Sequence, residues 1–492
     1  MERIVTPEQM ARADQRTVAA GTPAAVLMER AGRAVAWAAR RVADGCYGRR
    51  AVVVCGKGNN GGDGLVTAEA LARWGMRPVV VELASGIDRR ALTRALARAD
   101  VVVDAMYGTG FRGALEGDAA WCAEEFNRLG MPVLAVDIPS GVDGTTGAVQ
   151  GVAVRATGTV TFAARKTGVV FEPGRSYAGR VSVVDIGIDA DAAEEPVIES
   201  FETADVADAL PPRRPDAHKW MSGVLVVGGS GGMTGAPMFV SHAAMRAGAG
   251  IVWCGLPGHD AARAASGTEV ITRALPATGD GVLATDARDV VLAMISRFKS
   301  LALGPGLGND PAIRSTVFAL VAEARIPLVL DADGLNALNG ELRQLRGRET
   351  LGAPTVLTPH EAEYARLAGE PVGDDRIAAA RRLADRSATV VLLKGPGTVV
   401  AEPGGRVALN PTGNAALATA GSGDALTGIV AAFLARGMPA FEAAACAAWV
   451  HGRTADRLAA RNGHSGVIAS DLVAELAPTL FALSADRAGE AE

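Results

Sequence analysis

The residues best placed to do chemistry follow apolar, strand-like segments. The run Gly56–Gly64 has five glycines in nine positions, together with Asn59-Asn60 and Asp63. It follows the apolar segment 51–55 and precedes a helical pattern over 65–74. Glycines let a backbone turn tightly and approach a ligand, and the start of a helix offers free N–H groups. This run therefore predicts a loop that binds a phosphate-bearing molecule.

Two further motifs begin where apolar segments end. Asp104 opens the first, and Asp137 opens the second, which continues into a Pro-Ser-Gly turn that contains Ser140. In a parallel sheet such strand ends meet at one rim. A carboxylate fixed there, such as Asp137, can act as a general acid or base. Asn60, Asp104 and Ser140 offer hard oxygen ligands, which favour an alkali or alkaline-earth cation over zinc.

Simpler interpretations of these motifs stay open on the residues alone. Gly56-x-Gly58-x-x-Gly61 matches the dinucleotide fingerprint of dehydrogenases, and Glu82 stands at a later strand end. Asp104 and Asp137 could each cap a helix or a turn. An NAD-dependent dehydrogenase and a purely structural role are therefore the alternatives for this half.

The C-terminal half has its own candidate base. Gly421-Ser422-Gly423-Asp424 precedes the apolar helical stretch 425–434, which places Asp424 at a helix N-terminus. Free N–H groups there could hold a phosphate while Asp424 removes a proton. The alternative is that Asp424 is only an N-cap.

Other strand ends of this half supply polar groups. Lys394 opens a glycine turn suited to nucleotide phosphates, and His360 lies three residues before Glu363. Gly304–Gly308 and Asp331–Asn336 complete the rim. His360 alone would more often be a capping or surface histidine, but its neighbours favour a role at the site.

The elements that must position these groups alternate between strands and helices. Short Val-rich runs separated by helical segments indicate parallel sheets that are buried on both faces. The acidic and then proline-rich stretch over 190–217 interrupts this rhythm and predicts a domain boundary. The predicted strands are 51–55, 78–83, 100–104, 132–137, 223–227, 300–303, 326–330, 354–358 and 389–393.

Composition narrows the class of protein. The 492 residues carry a net charge of −5 without a long charge run, which argues against a nucleic-acid surface. Five cysteines without a Cys-x-x-Cys pair indicate reduced, cytosolic thiols. The N-terminal residues lack a signal-peptide pattern, and the apolar stretches are too short to span a bilayer. We expect a cytoplasmic α/β enzyme that forms a homo-oligomer.

The N-terminal motifs resemble those of the NAD(P)H-hydrate epimerase domain, over residues 1–205. This family has a Rossmann-like three-layer fold and interconverts the R and S hydrates of NADH and NADPH. The resemblance implies Asp137 as the catalytic acid/base group and a potassium ion on Asn60, Asp104 and Ser140. The residues implied to bind the hydrated dinucleotide are Asn59, Asn60, Gly61, Gly62, Asp63, Gly108, Thr109, Gly110, Phe111, Arg112, Gly113 and Asp137.

The C-terminal motifs resemble those of the ribokinase-like, ADP-dependent NAD(P)H-hydrate dehydratase. The resemblance implies Asp424 as the catalytic base and ADP with magnesium as the co-substrate. Residues implied to face the hydrated dinucleotide are Ala236, Gly306, His360 and Asp424. Those implied to bind ADP are Lys394, Gly395, Pro396, Gly397, Thr398 and Gly423. The chain differs from the family pattern at Ser422 (usually Thr), at Ala362 (usually Gly) and at Trp220 (usually Gly).

Together the two resemblances predict an epimerase domain over 1–205 and a ribokinase-like α/β dehydratase domain over 206–492. The expected ligands are NADHX or NADPHX and ADP, with neither nucleic acid nor membrane as a partner. The alternatives are a ribokinase-class small-molecule kinase fused to a dinucleotide-binding module and a sensor without catalysis. The Asn-Asn-Gly-Gly-Asp run favours the repair enzyme over a simple kinase.

Overall fold

The computed structural model describes residues 1–190, 196–259 and 269–489. The chain divides into two compact units, Arg3–Glu194 and Glu195–Glu492, and Met1–Glu2 is grouped with the second. The division at 194/195 comes earlier than the expected boundary at 205/206. The physical reason is that strand Ile198–Ser200 pairs in parallel with Val407–Leu409 and so joins the sheet of the second unit.

The N-terminal unit is a three-layer α/β fold around a six-stranded parallel sheet. Helices Ala24–Val42 and Asn59–Arg73 pack on one face. Helices Arg89–Leu96 and Gly117–Leu129 pack on the other. In spatial order the strands are Arg77–Glu82, Arg50–Cys55, Val101–Ala105, Val133–Val136, Gly158–Phe162 and Arg180–Val184. Glu2–Val5 and Arg165–Lys166 form a short parallel pair that is not part of this six-stranded sheet.

The strand order places a topological switch beside the glycine run. Arg50–Cys55 pairs with Arg77–Glu82 on one side and with Val101–Ala105 on the other. The chain therefore leaves neighbouring strands in opposite directions at Cys55 and Ala105. Ligands of open α/β sheets bind in the crevice that such a reversal creates.

The helix that follows strand Arg50–Cys55 begins earlier than the sequence indicates. It spans Asn59–Arg73, so most of the glycine run is helical rather than a loop. Close packing explains the glycines. A Cβ on Gly61 would stand 2.0 Å from the carbonyl oxygen of Gly56, and one on Gly64 would stand 2.8 Å from the Cys55 sulfur. Within this run, Gly58 is the one glycine with a positive φ, +93°, a backbone conformation that favours glycine.

The C-terminal unit contains a longer, mixed sheet. Helices Gly235–Arg246, Ser422–Ala435 and Ala440–Asn462 cover one face with small side chains. In spatial order the strands are Ile271–Leu275, Ile251–Pro257, Gly223–Val227, Ser300–Leu303, Leu328–Leu330, Thr355–Leu357, Val390–Leu393, Val399–Ala401, Val407–Leu409 and Ile198–Ser200. Only the pairings on either side of Val399–Ala401 are antiparallel. All nine strands expected from the sequence are present, and their ends differ from the expected ones by at most two residues.

The remaining helices complete the two units. Those of the N-terminal unit are Pro7–Ala19 and Gly174–Ala178. Those of the C-terminal unit are Thr203–Ala209, Ala287–Ile295, Pro311–Glu323, Asp333–Leu338, Arg343–Thr350, Glu361–Ala368, Arg376–Ser387 and Ala469–Gly489. None of the described helices is long and apolar enough to cross a membrane. All five cysteines are buried and free.

Arg348 is a buried arginine with a structural role in the C-terminal unit. Its guanidinium donates to the carbonyl oxygens of Val321 and Ala324, each at 2.8 Å, and of Ile326 at 2.7 Å. Its Nε donates to the Thr355 hydroxyl at 2.6 Å. Burial lowers the pKa of Arg348 to about 10. The charge is tolerated because these carbonyls lie at or just beyond the negative end of helix Pro311–Glu323.

Replacing Arg348 with methionine is expected to lower the free energy of unfolding of the C-terminal unit by about 3 kcal/mol. The reason is that three buried carbonyls lose their donors, at about 1–3 kcal/mol for each unsatisfied group. Thermal unfolding followed by circular dichroism measures the effect. The exposed Arg346 on the same helix is the matched control, and its methionine variant should unfold within about 0.5 kcal/mol of wild type. Equal unfolding of both variants would contradict this role.

Candidate active sites

The N-terminal unit contains a cavity of about 880 Å³ at the carboxyl ends of its strands. The described walls come from the start of helix Asn59–Arg73, the loop after Val101–Ala105 and the end of Val133–Val136. Predicted site residues that line it are Asn59, Asn60, Asp63, Gly108, Thr109, Gly110, Phe111, Arg112 and Asp137. Gly61, Gly62 and Gly113 lie outside this lining. Gly62 instead faces Met28, whose sulfur would stand 2.6 Å from an added Cβ.

Asp137 is held in a fixed position at the cavity wall. It has a left-handed backbone with φ +66°, and its side chain is almost fully buried. Lys166 donates to Asp137 Oδ1 at 2.6 Å, and the Thr161 hydroxyl donates to the same oxygen at 2.9 Å. Among the described residues, hydrogen-bond donors reach one carboxylate oxygen, Oδ1, and none reaches Oδ2. The other can therefore exchange a proton with a ligand in the cavity.

Lys166 is a functional candidate that the sequence analysis missed. Its side chain is 1% exposed, and its ammonium also donates to the Phe162 carbonyl oxygen at 2.7 Å. A lysine buried this far is retained only with partners for its charge. Its position shortly after strand Gly158–Phe162 could have identified it as a residue at a strand end, but that strand was not predicted from the sequence.

Asp63 lines the same cavity as Asp137. Burial raises the pKa of Asp63 to about 8, and the charges of Asp137 and Asp14 add to the shift. Two carboxylates with different environments thus share one cavity. When the pKa values of two such carboxyl groups differ, one can act as a proton donor and the other as a proton acceptor at neutral pH.

Asp104 and Ser140 form a buried cluster below the cavity. Asp104 Oδ1 accepts a 2.6 Å hydrogen bond from the Ser140 hydroxyl, and Oδ2 accepts one from the Ser140 backbone at 2.8 Å. Burial raises the pKa of Asp104 to about 6 against these hydrogen bonds. One buried atom of the Asn60 amide, Nδ2, has no hydrogen-bond partner among the described residues. The carboxylate and hydroxyl oxygens of Asp104 and Ser140 are hard ligands of the kind that K⁺ takes, whereas the unpartnered Nδ2 of Asn60 is a hydrogen-bond donor and calls for an acceptor.

The C-terminal unit gathers its polar groups around Lys394. The Lys394 ammonium lies 2.8 Å from Asp331 Oδ1 and 3.6 Å from Glu363 Oε2. The Thr427 hydroxyl donates to Asp331 Oδ2 at 2.6 Å. Burial would raise the pKa of Asp331, but Lys394 and the hydroxyls of Thr427 and Thr358 hold it below its usual value. The pKa of Lys394 is raised because these carboxylates outweigh the effect of burial.

Asp424 lies in the first turn of helix Ser422–Ala435, as predicted. Gly421 begins the helix with a left-handed backbone. Burial raises the pKa of Asp424 to about 6, and Asp331 adds to the shift while Lys394 opposes it. A Cβ on Gly423 would stand 3.5 Å from the Lys394 nitrogen, so the lysine and the helix N-terminus face one space. A carboxylate with a pKa near neutrality beside N–H donors is suited to act as a base next to a phosphate.

His360 is the N-cap of helix Glu361–Ala368. Its ring Nδ1 accepts a hydrogen bond from the backbone N–H of Ala362 at 3.1 Å, and the backbone N–H of His360 donates to Glu363 Oε2 at 2.8 Å. The capping role considered for this histidine is therefore present. Its side chain is still 51% exposed, which leaves the outer face of the ring accessible. Ala362 lies inside the helix, so this position does not require glycine.

The other predicted residues fall into two neighbouring places. Ala236 lies beside Gly306, where an added Cβ would stand 3.6 Å from the Ala236 Cβ. Lys394 to Thr398 form the turn between Val390–Leu393 and Val399–Ala401, and Arg376 donates to the Lys394 carbonyl at 2.9 Å. Neither Thr427 nor His451 was predicted from the sequence. The Nε2 atom of His451 lies 3.2 Å from the Ser422 hydroxyl oxygen. Their helical positions gave no local signal.

Trp220 has a structural explanation. Its ring packs edge-on against Trp253 and Phe298, with ring centroids 5.9 and 5.7 Å apart. Edge-to-face contacts of this kind stabilise a core beyond the area they bury. The tryptophan therefore extends an aromatic cluster and stands apart from the group around Lys394.

The fold and the two groups of polar residues define a two-unit α/β protein with a candidate site in each unit. Family models match both: "NAD(P)H-hydrate dehydratase" over residues 224–478 and "YjeF-related protein N-terminus" over 24–95 and 83–168. The chain belongs to the family of bifunctional NAD(P)H-hydrate repair enzymes. It is 40% identical to the enzyme of that name from Moorella thermoacetica, over 92% of this chain and 91% of the relative.

Other relatives agree with this placement. The bifunctional NAD(P)H-hydrate repair enzyme of Salinibacter ruber is 39% identical over 99% of this chain and 97% of its own. A solved ADP/ATP-dependent NAD(P)H-hydrate dehydratase from Bacillus subtilis, co-crystallised with ATP and Mg²⁺, matches with a TM-score of 0.50 and 28% identity. It covers 59% of this chain and 100% of its own. A ribokinase-like superfamily protein from Enterococcus faecalis, at 22% identity and a TM-score of 0.50, shares the fold.

Proposed function

We propose that this chain repairs hydrated NADH and NADPH at two separate sites. The N-terminal site interconverts the R and S hydrates, and the C-terminal site dehydrates the S form while ADP becomes AMP and phosphate. The observation that carries this proposal is the presence of two independent acid/base sites in one chain: Asp137 with Lys166, and Asp424 beside Lys394. Family membership supports it, because relatives that align over 91% and 97% of their own length are named bifunctional NAD(P)H-hydrate repair enzymes.

Epimerisation needs proton transfer at the hydroxyl-bearing ring carbon. The carbon can invert by ring opening or by loss and return of water, and a proton must be given and taken back on either route. Asp137 is positioned to accept it through its free oxygen. Asp63, which keeps its proton at neutral pH, is the donor in the same cavity. Lys166 fixes the orientation of Asp137.

Dehydration needs a better leaving group than hydroxide. Asp424 takes the proton of the ring hydroxyl while the hydroxyl oxygen attacks the terminal phosphorus of ADP, and AMP leaves. The ring C–O bond of the phosphate ester then breaks, inorganic phosphate leaves, and water takes a proton from the neighbouring ring carbon as the double bond forms. Lys394 and the N–H groups at the start of helix Ser422–Ala435 offset the phosphate charge.

Cations fit both sites. K⁺ would be held by Asp104 and Ser140 together with Oδ1 of Asn60, and it would add positive charge beside the dinucleotide. Among the described residues, no group of three or more His, Cys, Asp or Glu side chains is arranged as a metal site. Mg²⁺ characteristically binds through substrate phosphates and one or two carboxylates, and Asp331 and Glu363 are the nearest to Lys394.

Dehydration is expected to fail in acid as Asp424 takes up a proton. The base form increases with pH through about 6, so kcat/KM for ADP-dependent dehydration should fall about tenfold per unit below that value. Initial rates of NADH formation from the S hydrate between pH 4.5 and 8 measure this profile. A rate independent of pH between 5 and 7 would exclude Asp424 as the base.

The proposal is tested by incubating the protein with a mixture of R- and S-NADHX and following NADH absorbance. With ADP and Mg²⁺, the whole mixture should become NADH. Without nucleotide no NADH should form, but the ratio of R to S should reach equilibrium faster than in a blank without protein. Phosphorylation of a sugar or vitamin without NADH formation would favour the kinase alternative.

A further inference from the structure

A cavity of about 470 Å³ in the C-terminal unit lies away from Asp424. Its walls include residues just before strands Gly223–Val227 and Ile251–Pro257, at the amino ends of the sheet. Another wall is Arg436, which ends the helix that begins beside Asp424. The helix length thus separates this cavity from the candidate dehydratase site. Neither the family models nor the relatives assign it a role.

Positive charge dominates the lining of this cavity, named here the arginine pocket. The described residues that line it include no carboxylate. They include four arginines and one histidine: Arg213, Arg214, Arg246, Arg436 and His218. Arg214 is neutralised by Asp216, through contacts of 2.8 and 2.7 Å. In the described chain, the side chains of Arg213 and Arg246 form neither an ion pair nor a hydrogen bond. This concentration of charge stands out in a protein whose net charge is −5.

Arg436 carries a charge that the protein itself leaves uncompensated. Its guanidinium donates to the carbonyl oxygens of Ala247 and Pro211, and its described contacts include no carboxylate. Burial lowers the pKa of Arg436, and the like charge of Arg213 lowers it further. Two guanidinium groups that repel each other at one pocket are stabilised when an anion binds between them. Guanidinium groups bind phosphate oxygens through two parallel hydrogen bonds.

Most of the other residues that line the pocket are apolar, with Ser222 and Ser484 as the exceptions. Leu210, Met221, Leu480 and Leu483 contribute to its walls. A volume of about 470 Å³ falls in the range of small-molecule sites, which combine apolar walls with a few charged groups. An inorganic ion would satisfy the arginines but leave this apolar surface in contact with water. The pocket therefore suits an anion with an apolar or aromatic body.

We propose that the arginine pocket binds a phosphomonoester that carries an apolar or aromatic group. Arg213, Arg246 and Arg436 hold the phosphate, and the leucine-lined wall contacts the body of the ligand. This site is separate from the ADP site around Lys394. Because the binding is electrostatic at the phosphate, the affinity falls as salt is added.

Equilibrium dialysis with AMP, and separately with inorganic phosphate, tests this assignment on the full-length protein. The variant Arg213→Gln/Arg246→Gln removes two exposed cations of the pocket and leaves its buried core intact. Arg343→Gln/Arg453→Gln removes the same charge from exposed positions outside the pocket and is the matched control. NADH formation from S-NADHX with ADP is measured for all three proteins.

Wild type and the control variant should bind AMP at one more site per chain than the pocket variant, or at least tenfold more tightly at that site. Inorganic phosphate should bind there more weakly than AMP. All three proteins should dehydrate S-NADHX at the same rate, because the pocket lies outside the catalytic groups. Equal AMP stoichiometry and affinity in wild type and the pocket variant would overturn the proposal, whatever the dehydratase rates.

Discussion

The variant Asp424→Asn is expected to lose ADP-dependent dehydration of S-NADHX, with kcat falling by about 10²–10⁴-fold. Asparagine keeps the size of the side chain but cannot accept the hydroxyl proton. Asp424 has a raised pKa near neutrality and lies at a helix N-terminus beside Lys394, so its loss removes the base without removing the phosphate site. NADH formation from purified S-NADHX measures the effect.

Two controls separate catalysis from folding in this variant. Epimerisation of R- and S-NADHX, followed without nucleotide, should continue at the wild-type rate because it depends on the other unit. Asp289→Asn makes the same chemical change at an exposed position of the C-terminal unit and should dehydrate normally. A fully active Asp424→Asn enzyme would show that the proton goes to another group.

The variant Asp137→Asn is expected to lose epimerisation by about 10²–10⁴-fold while S-NADHX is still dehydrated. Asparagine is the appropriate substitution because Asp137 has a left-handed backbone, which Asn also adopts. It cannot form the ion pair with Lys166 and cannot take up a proton. The ratio of the two hydrates over time, measured by chromatography without nucleotide, gives the rate.

The matched control for the N-terminal unit is Asp118→Asn. Asp118 lies in the first turn of helix Gly117–Leu129 and pairs only with Arg89 at the surface, at 2.9 Å. That variant should epimerise at the wild-type rate. If Asp137→Asn also interconverts the hydrates at the wild-type rate, Asp137 is not the acid/base group.

The strand ends were predictable because apolar runs stop abruptly at polar residues. Val101–Ala105 and Leu328–Leu330 read as buried parallel strands, and Asp104 and Asp331 lie where such strands end. Asp424 was predictable for a similar local reason, a small-residue turn before an apolar helix. The order of the strands converts these separate signals into two sites.

The remaining features depend on contacts between distant residues. Glycine has a poor intrinsic helix propensity, so the sequence placed the start of helix Asn59–Arg73 too late; close packing against Gly56 and Cys55 decides it. Lys166 carries no local sign that it pairs with Asp137, 29 residues away. The strand Gly158–Phe162 was missed because its threonines are polar, although the sheet buries them.

The central claim is that one chain holds two independent sites that act in sequence, and complementation tests it most directly. Purified R-NADHX is incubated with ADP and Mg²⁺ and with Asp137→Asn, Asp424→Asn, or an equal mixture of both, and NADH absorbance is followed. Each variant alone should form no NADH faster than the spontaneous epimerisation of a blank allows, and the mixture should convert the substrate. Rapid conversion by either variant alone, or no conversion by the mixture, would contradict the account.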